Sequence, residues 1–211
     1  MSDFFELPPP PPPRPPEQRQ QPEWFGPPGN VLGVVVPLDV TVARTSDLVL
    51  AVRSASVYPT GLDFDVCLLL REQGVSPVDW HPFHRPRPGA ELPPEVLRLG
   101  IQLADGAKAT NIDSPLFGRG PDEPPAPPVL MPRGGGGGGH RWDVSFWLWP
   151  LPPPGQLTLV CEWPARGIEL TRVDVDAGAL LEAAQRATPL WPDGGAEPGG
   201  AWATTLGFVE E

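Results

Sequence analysis

The chain has 211 residues, a formal net charge of −11 and a sequence pI of about 4.7. This negative balance argues against nucleic-acid binding and against docking on anionic lipid, because both usually need a basic face. The 34 Pro and 24 Gly residues make up more than a quarter of the chain, and they are clustered. The clustering predicts one folded domain between disordered ends.

We predict a disordered proline-rich tail over residues 1–30, a folded domain over 31–188 and a disordered acidic, Gly-rich tail over 189–211. The run from Pro8 to Pro13 favours polyproline II, which suits either a spacer or a ligand for an aromatic groove. No apolar run approaches the ~20 residues of a membrane span, and the N-terminus lacks the pattern of a secretory signal. With two Cys, as expected in a reducing compartment, these features predict a cytoplasmic protein.

Alternating apolar and polar residues predict a series of strands in the domain. The clearest is 62–71, where Leu62, Phe64 and Val66 share one face while Asp63 and Asp65 take the other. A slip of one residue would bury both carboxylates, so the register of this strand is strongly specified. The predicted strands are 34–43, 48–57, 62–71, 96–103, 108–112, 142–149, 156–163 and 168–175.

Several features refine this pattern. Pro37 lacks an N–H donor and predicts an edge strand or a break, and a phase change near Thr171 and Arg172 predicts a bulge. The apolar stretch 142–175 is predicted to form the middle of one sheet. Asp176 is predicted to cap a helix over 177–187.

Two long connections interrupt the strands, at 72–94 and 113–140. The second ends in six consecutive glycines, 134–139, which we expect to carry no packed element. The short, regularly spaced strands predict an all-β fold, an antiparallel immunoglobulin-like β-sandwich of seven or eight strands with one short C-terminal helix. Cys67 and Cys161 fall on opposite phases of their strands, so a disulfide between them is not expected.

The segments MPRGGGGGG, LWPLPPPG and CEWP, between 131 and 164, resemble those of a group of uncharacterised actinobacterial proteins. The resemblance covers roughly residues 31–188 and implies no activity and no site residue.

Three histidines suggest a metal site as an alternative function. His81 and His84 lie in the first long connection and His140 follows the glycines. Three His ligands with an open fourth position would suit zinc in a small metal-binding protein or hydrolase. Pro82 disfavours a helical H-x-x-H arrangement, so ordinary loop histidines are the competing interpretation, and no cofactor is predicted.

The glycine run does not match a phosphate-binding loop, which needs a following Lys and Ser or Thr before a helix. A glycine backbone that folds closely over a partner, flanked by Arg133 and Arg141, is a better interpretation. Asp63 and Asp65 on one strand face could serve as an acid and a base, but carboxylates on an exposed strand face are more often solubilising charges.

Aromatic residues complete the candidate contact surface. In the simplest interpretation Trp147 and Trp149 are core residues, like Trp142 and Trp163. However, Trp147 and Trp149 share a phase with polar residues, which favours an outward position, either under the helix 177–187 or exposed to a partner. Trp80 and Phe83 lie in the first long connection. We therefore predict a non-catalytic protein-interaction module for an unknown protein partner, with the metal site or a small-ligand or carbohydrate site as alternatives. The candidate contact residues are Trp80, Phe83, Arg133, Arg141, Trp147 and Trp149.

Overall fold

A computed structural model describes residues 21–72, 91–113 and 124–191. These residues form eleven strands, one α-helix and a 3-10 turn. The strands are β1 Val31–Leu32, β2 Val34–Arg44, β3 Leu48–Val57, β4 Leu62–Leu70, β5 Arg98–Gln102, β6 Lys108–Thr110, β7 Val129–Gly138, β8 Arg141–Trp149, β9 Gln156–Trp163, β10 Ile168–Asp176 and β11 Thr188–Pro189.

The strands form three antiparallel sheets. The largest has five strands in the order β2-β3-β4-β8-β7, the second has four in the order β10-β9-β5-β6, and β1 pairs with β11 in a two-stranded ribbon. The all-β prediction is therefore confirmed. The stretch 142–175 is not the middle of one sheet as predicted, because β8 belongs to the five-stranded sheet while β9 and β10 belong to the four-stranded sheet.

One core cluster joins the two larger sheets. Alternation along β4 directs Leu62, Phe64 and Val66 into this cluster, and β9 contributes Leu157 and Leu159 from the other sheet. Burial of such side chains removes apolar surface from water and contributes about 25 cal/mol per Å2. The predicted register of β4 is confirmed, since Asp63 and Asp65 lie on the face away from the core.

Strand β2 lies at the edge of its sheet, as Pro37 predicted. Its pairing with β3 is irregular between Pro37 and Val40, where Asp39 has a φ of 50°. The predicted bulge in β10 is also present, because the register with β9 shifts between Ile168 and Thr171.

The helix α1, Gly178–Arg186, buries Leu180 and Ala183 and contacts β2 and β3. The N-cap residue is Ala177, not Asp176 as predicted. Asp176 nevertheless accepts a hydrogen bond of 2.9 Å from the Gly178 N–H, so it satisfies one donor of the first turn. In the part of the chain that the structure describes, no helix is long and apolar enough to cross a membrane.

The two cysteines are free and lie in different sheets, Cys67 on β4 and Cys161 on β9. Burial raises the pKa of the Cys161 thiol to about 12, with a smaller contribution from Glu162. The expectation of no disulfide is confirmed.

The prediction that the glycine run carries no packed element is wrong. Residues 134–138 continue β7 and pair in register with β8, and the turn follows at Gly139, whose φ is 61°. The ladder of β8 supplies main-chain partners, so the strand needs no side chains of its own. At Gly135 a Cβ would lie 2.7 Å from the carbonyl oxygen of Asp143, and at Gly137 it would collide with the carbonyl of Arg141.

The other glycines of the run have no such requirement. A Cβ added at Gly134, Gly136 or Gly138 would meet no heavy atom within 4 Å. Glycine is therefore necessary at alternate positions of β7 and unnecessary, as far as packing against the described residues goes, at the positions between them.

We predict that Gly135→Ala and Gly137→Ala each lower the free energy of unfolding by about 1–3 kcal/mol, because the methyl group forces β7 away from β8. The matched variants Gly134→Ala, Gly136→Ala and Gly138→Ala should remain within about 0.5 kcal/mol of the parent or gain stability from reduced chain entropy. Urea denaturation of the five variants measures this, and equal effects at all five positions would contradict the alternation.

Candidate interaction face

The candidate site lies on the outer face of the five-stranded sheet, opposite the core. The register of β4 with β8 sets its composition, because it places Asp63 beside Trp147 and Asp65 beside Ser145. The same register pairs Cys67 with Asp143. Polar residues that alternate with core residues along two adjacent strands thus meet on one surface, which we call the outer face.

At one end of the outer face, charged side chains pair across strands. Arg141 donates two hydrogen bonds of 2.7 Å to the carboxylate of Asp143, and Arg53 lies 3.5 Å from Asp65 and 3.7 Å from Asp143. The bonds from Arg141 are the main reason that the pKa of Asp143 lies below its usual value. All four side chains are at least a third exposed, so each pair contributes no more than about 1 kcal/mol to stability.

At the other end, Asp63 occupies a much drier position. Its side chain is 21% exposed, and among the described residues no donor reaches its buried Oδ1. Its other oxygen, Oδ2, lies 3.9 Å from Nε of Arg133. The pKa of Asp63 is raised from 3.8 to about 6. Burial is the main cause and the charge of Asp65 adds a smaller rise, while Arg133 and a hydrogen bond with Ser145 act in the opposite direction.

Tyr58 and Trp147 form the apolar wall beside Asp63. Their rings are in edge contact, with centroids 5.8 Å apart and planes at 63°. Burial, followed by the negative charge of Asp63, raises the pKa of the Tyr58 hydroxyl. Gly61 allows the close approach here, because a Cβ would collide with the Leu148 carbonyl and lie 2.6 Å from the Trp147 ring.

Trp147 faces outward as predicted, but it is covered. Its side chain is fully buried, and its indole Nε1 donates a hydrogen bond of 3.0 Å to the main-chain carbonyl of Glu23. Neither outward alternative is correct: Trp147 is not exposed, and α1 lies on β2 and β3 rather than on β8. The partner of its indole N–H is a residue that the sequence assigned to the disordered tail.

Arg133 holds the same segment. Its Nη1 donates a hydrogen bond of 3.3 Å to the carbonyl of Phe25, and its guanidinium group lies against Gly26. Residues 21–30 therefore have defined contacts, although the sequence placed them in the tail. The structure brings Arg133 and Trp147 together around Asp63, and it adds Tyr58 and residues 23–26, which the sequence analysis missed.

The remaining predicted residues are dispersed. Arg141 lies at the far end of β8, and Trp149 is partly buried opposite Val129. The ring Nδ1 of His140 is 3.1 Å from the Leu70 carbonyl oxygen. Trp80, His81, Phe83 and His84 lie outside the described residues, and within the described ranges no three His, Cys, Asp or Glu side chains form a group able to hold a metal ion.

Comparison with known protein families, with curated proteins and with solved structures finds no match for this chain. The resemblance to actinobacterial proteins therefore stays a prediction.

The raised pKa of Asp63 predicts that the stability of the fold depends on pH. A carboxyl group whose pKa is raised from 3.8 to about 6 on folding stabilises the fold below pH 4, and this contribution is lost as the pH rises through 6. The shift corresponds to about 2–3 kcal/mol. The Asp63→Asn variant has no carboxyl group at this position and therefore does not lose this stability as the pH rises. We expect the free energy of unfolding of the variant, relative to that of the parent, to increase by about 2–3 kcal/mol between pH 4 and pH 7.5.

The control is Asp65→Asn, on the same strand and face, whose carboxylate is 37% exposed and pairs with a half-exposed Arg53. Its stability relative to the parent should change less over the same pH interval. Chemical denaturation at several pH values measures both variants. A difference between Asp63→Asn and the parent that is independent of pH would contradict the raised pKa.

Proposed function

We propose that this chain is a non-catalytic protein-interaction module. We also propose that its partner contributes an extended segment that lies along β7, against residues 134–138 and between Arg133 and Arg141. The observation that carries the proposal is the alternation of necessary and unnecessary glycines in β7. Glycine inside a strand weakens it, and it commonly marks a place where another backbone approaches closely.

The position of β7 supports the same proposal. It is the terminal strand of the five-stranded sheet, and in the described part of the chain it pairs with β8 alone. Proteins usually protect such an edge with charges, proline or a covering element. Residues 134–138 are exposed and carry neither charge nor proline, so their main chain is suited to pairing with an added strand.

The finer architecture and location belong to the same proposal. We propose an immunoglobulin-like sandwich, supported by the core cluster that both larger sheets share. A cytoplasmic location is supported by the two free cysteines, because thiols persist in a reducing compartment.

The test uses the full chain as bait for affinity capture from a lysate of the native host, and every captured protein is quantified. Replacing Gly134, Gly136 and Gly138 together by Lys places charged side chains in open space, so the fold should persist while strand addition is blocked. We expect capture of the partner to fall at least about tenfold, the effect of about 1.4 kcal/mol of binding free energy.

Two further triple variants act as controls. Replacement of the same glycines by Glu should abolish capture of the partner as well. Because Lys and Glu have opposite charges, a loss common to both variants results from obstruction of the edge and not from the sign of the added charge. Replacement by Ala should lower capture less than Lys or Glu does, because a methyl group hinders the approach of a second backbone only slightly. Amide hydrogen exchange of residues 129–138 should slow when the captured partner is added. Unchanged capture by the Lys and Glu variants, or protection confined to other strands, would contradict the proposal.

A further inference from the structure

Residues 22–26 form a turn that lies on the outer face. The turn is closed by a hydrogen bond of 2.9 Å from the Phe25 N–H to the Pro22 carbonyl. The sheet holds it through Trp147 Nε1, which donates to the Glu23 carbonyl, and through Arg133 Nη1, which donates to the Phe25 carbonyl. Both acceptors are main-chain groups, two residues apart, so these bonds do not depend on the side chains of the turn.

Gly26 adds a specific requirement to this contact. It is buried, and the position that a Cβ would take is occupied by the Arg133 guanidinium group and approached to 2.6 Å by the Gln21 amide. The aromatic side chains are less constrained. Trp24 and Phe25 contact each other edge to face at 5.7 Å, and Phe25 is 41% exposed. The sheet therefore recognises the main chain of the turn and the glycine at its end, and it places few requirements on the other side chains of the turn.

The surface beneath the turn has the character of a binding site. Trp147 faces away from the core, yet it is fully buried, and its indole N–H is bonded to the Glu23 carbonyl of the turn. Beside it lie the Tyr58 ring and the guanidinium of Arg133, whose charge is balanced by Asp63. A large aromatic ring with an N–H donor and a neighbouring arginine are the groups most often found at the energetic centre of protein interfaces.

We propose that Tyr58, Arg133 and Trp147 form a peptide-binding site that residues 22–26 occupy in cis. Its ligand in trans is a turn of the same chemistry from a partner protein: a proline at the first position, free main-chain carbonyls at the second and fourth positions, and glycine directly after. The cis turn competes with this ligand, and the site opens when the N-terminal segment is displaced. This proposal does not rest on the glycine edge of β7.

The test begins with Gly26→Ala in the full chain. The added methyl group displaces the Arg133 guanidinium and breaks its bond to the Phe25 carbonyl. Loss of one bond from a charged donor should raise amide hydrogen exchange in residues 21–28 about tenfold. Exchange in β3 and β4 should not change, because the core does not involve the turn.

The binding probe is a fluorescein-labelled peptide with the sequence of residues 21–28, QPEWFGPP. We expect it to bind the Gly26→Ala chain and to bind the parent chain at least about tenfold more weakly, because the parent site is occupied. The matched peptide QPEWFAPP should bind the Gly26→Ala chain at least about tenfold more weakly than QPEWFGPP does, because it loses the same bond from Arg133. Adding Arg133→Ala to the Gly26→Ala chain should abolish binding of the first peptide. Fluorescence anisotropy measures all combinations.

The proposal is overturned if the glycine peptide binds neither chain, or if the alanine peptide binds as tightly as the glycine peptide. If Gly26→Ala does not fold, Arg133→Gln replaces it in the exchange experiment, since glutamine keeps much of the side chain and removes the charge. Faster exchange confined to residues 21–28 then supports the proposal, and unchanged exchange there overturns it.

Discussion

The register of β4 is the constraint on which the rest of the structure depends. Its apolar residues alternate strictly with Asp63, Asp65 and Cys67, so one phase alone keeps both carboxylates out of the core. Since β4 lies between β3 and β8, this phase also orients the strands on both sides of it. The outer face, with its charged end around Asp143 and its dry end around Asp63, follows from that alignment.

The two ends of the outer face differ in the exposure of their side chains. Exposed pairs such as Arg141 with Asp143 are surrounded by water and contribute little to stability. At the other end, the turn at residues 22–26 is bonded to Trp147 and Arg133, and burial is the main influence on the pKa of the Asp63 carboxyl group. Arg133 connects both proposed sites, because it holds the turn and directly precedes the glycine edge of β7. Displacement of the turn would free its side chain next to that edge.

Much of the architecture follows from local pattern, and the missing parts are those without a local signal. Alternation of apolar and polar residues predicted the bounds of β3 and β9 and the bulge before Thr171. Pro37 predicted the edge position of β2. The strand character of 134–138 was not, because glycines carry no apolar periodicity. The assignment of β8 and β9 to different sheets also escaped prediction, since both strands have the same local pattern. The cover over Trp147 comes from a residue 124 positions earlier, a contact that neither periodicity nor spacing encodes.

The most direct test of this account is the hydrogen exchange rate of the tryptophan indole N–H groups in the full chain, resolved by NMR. The account predicts that the indole of Trp147 exchanges far more slowly than that of Trp191, which is 53% exposed, because Nε1 of Trp147 is buried and bonded to Glu23. It also predicts that Gly26→Ala removes much of this protection while the core amides of β4 keep theirs. An indole of Trp147 that exchanges as fast as that of Trp191 in the parent chain would contradict the covered site.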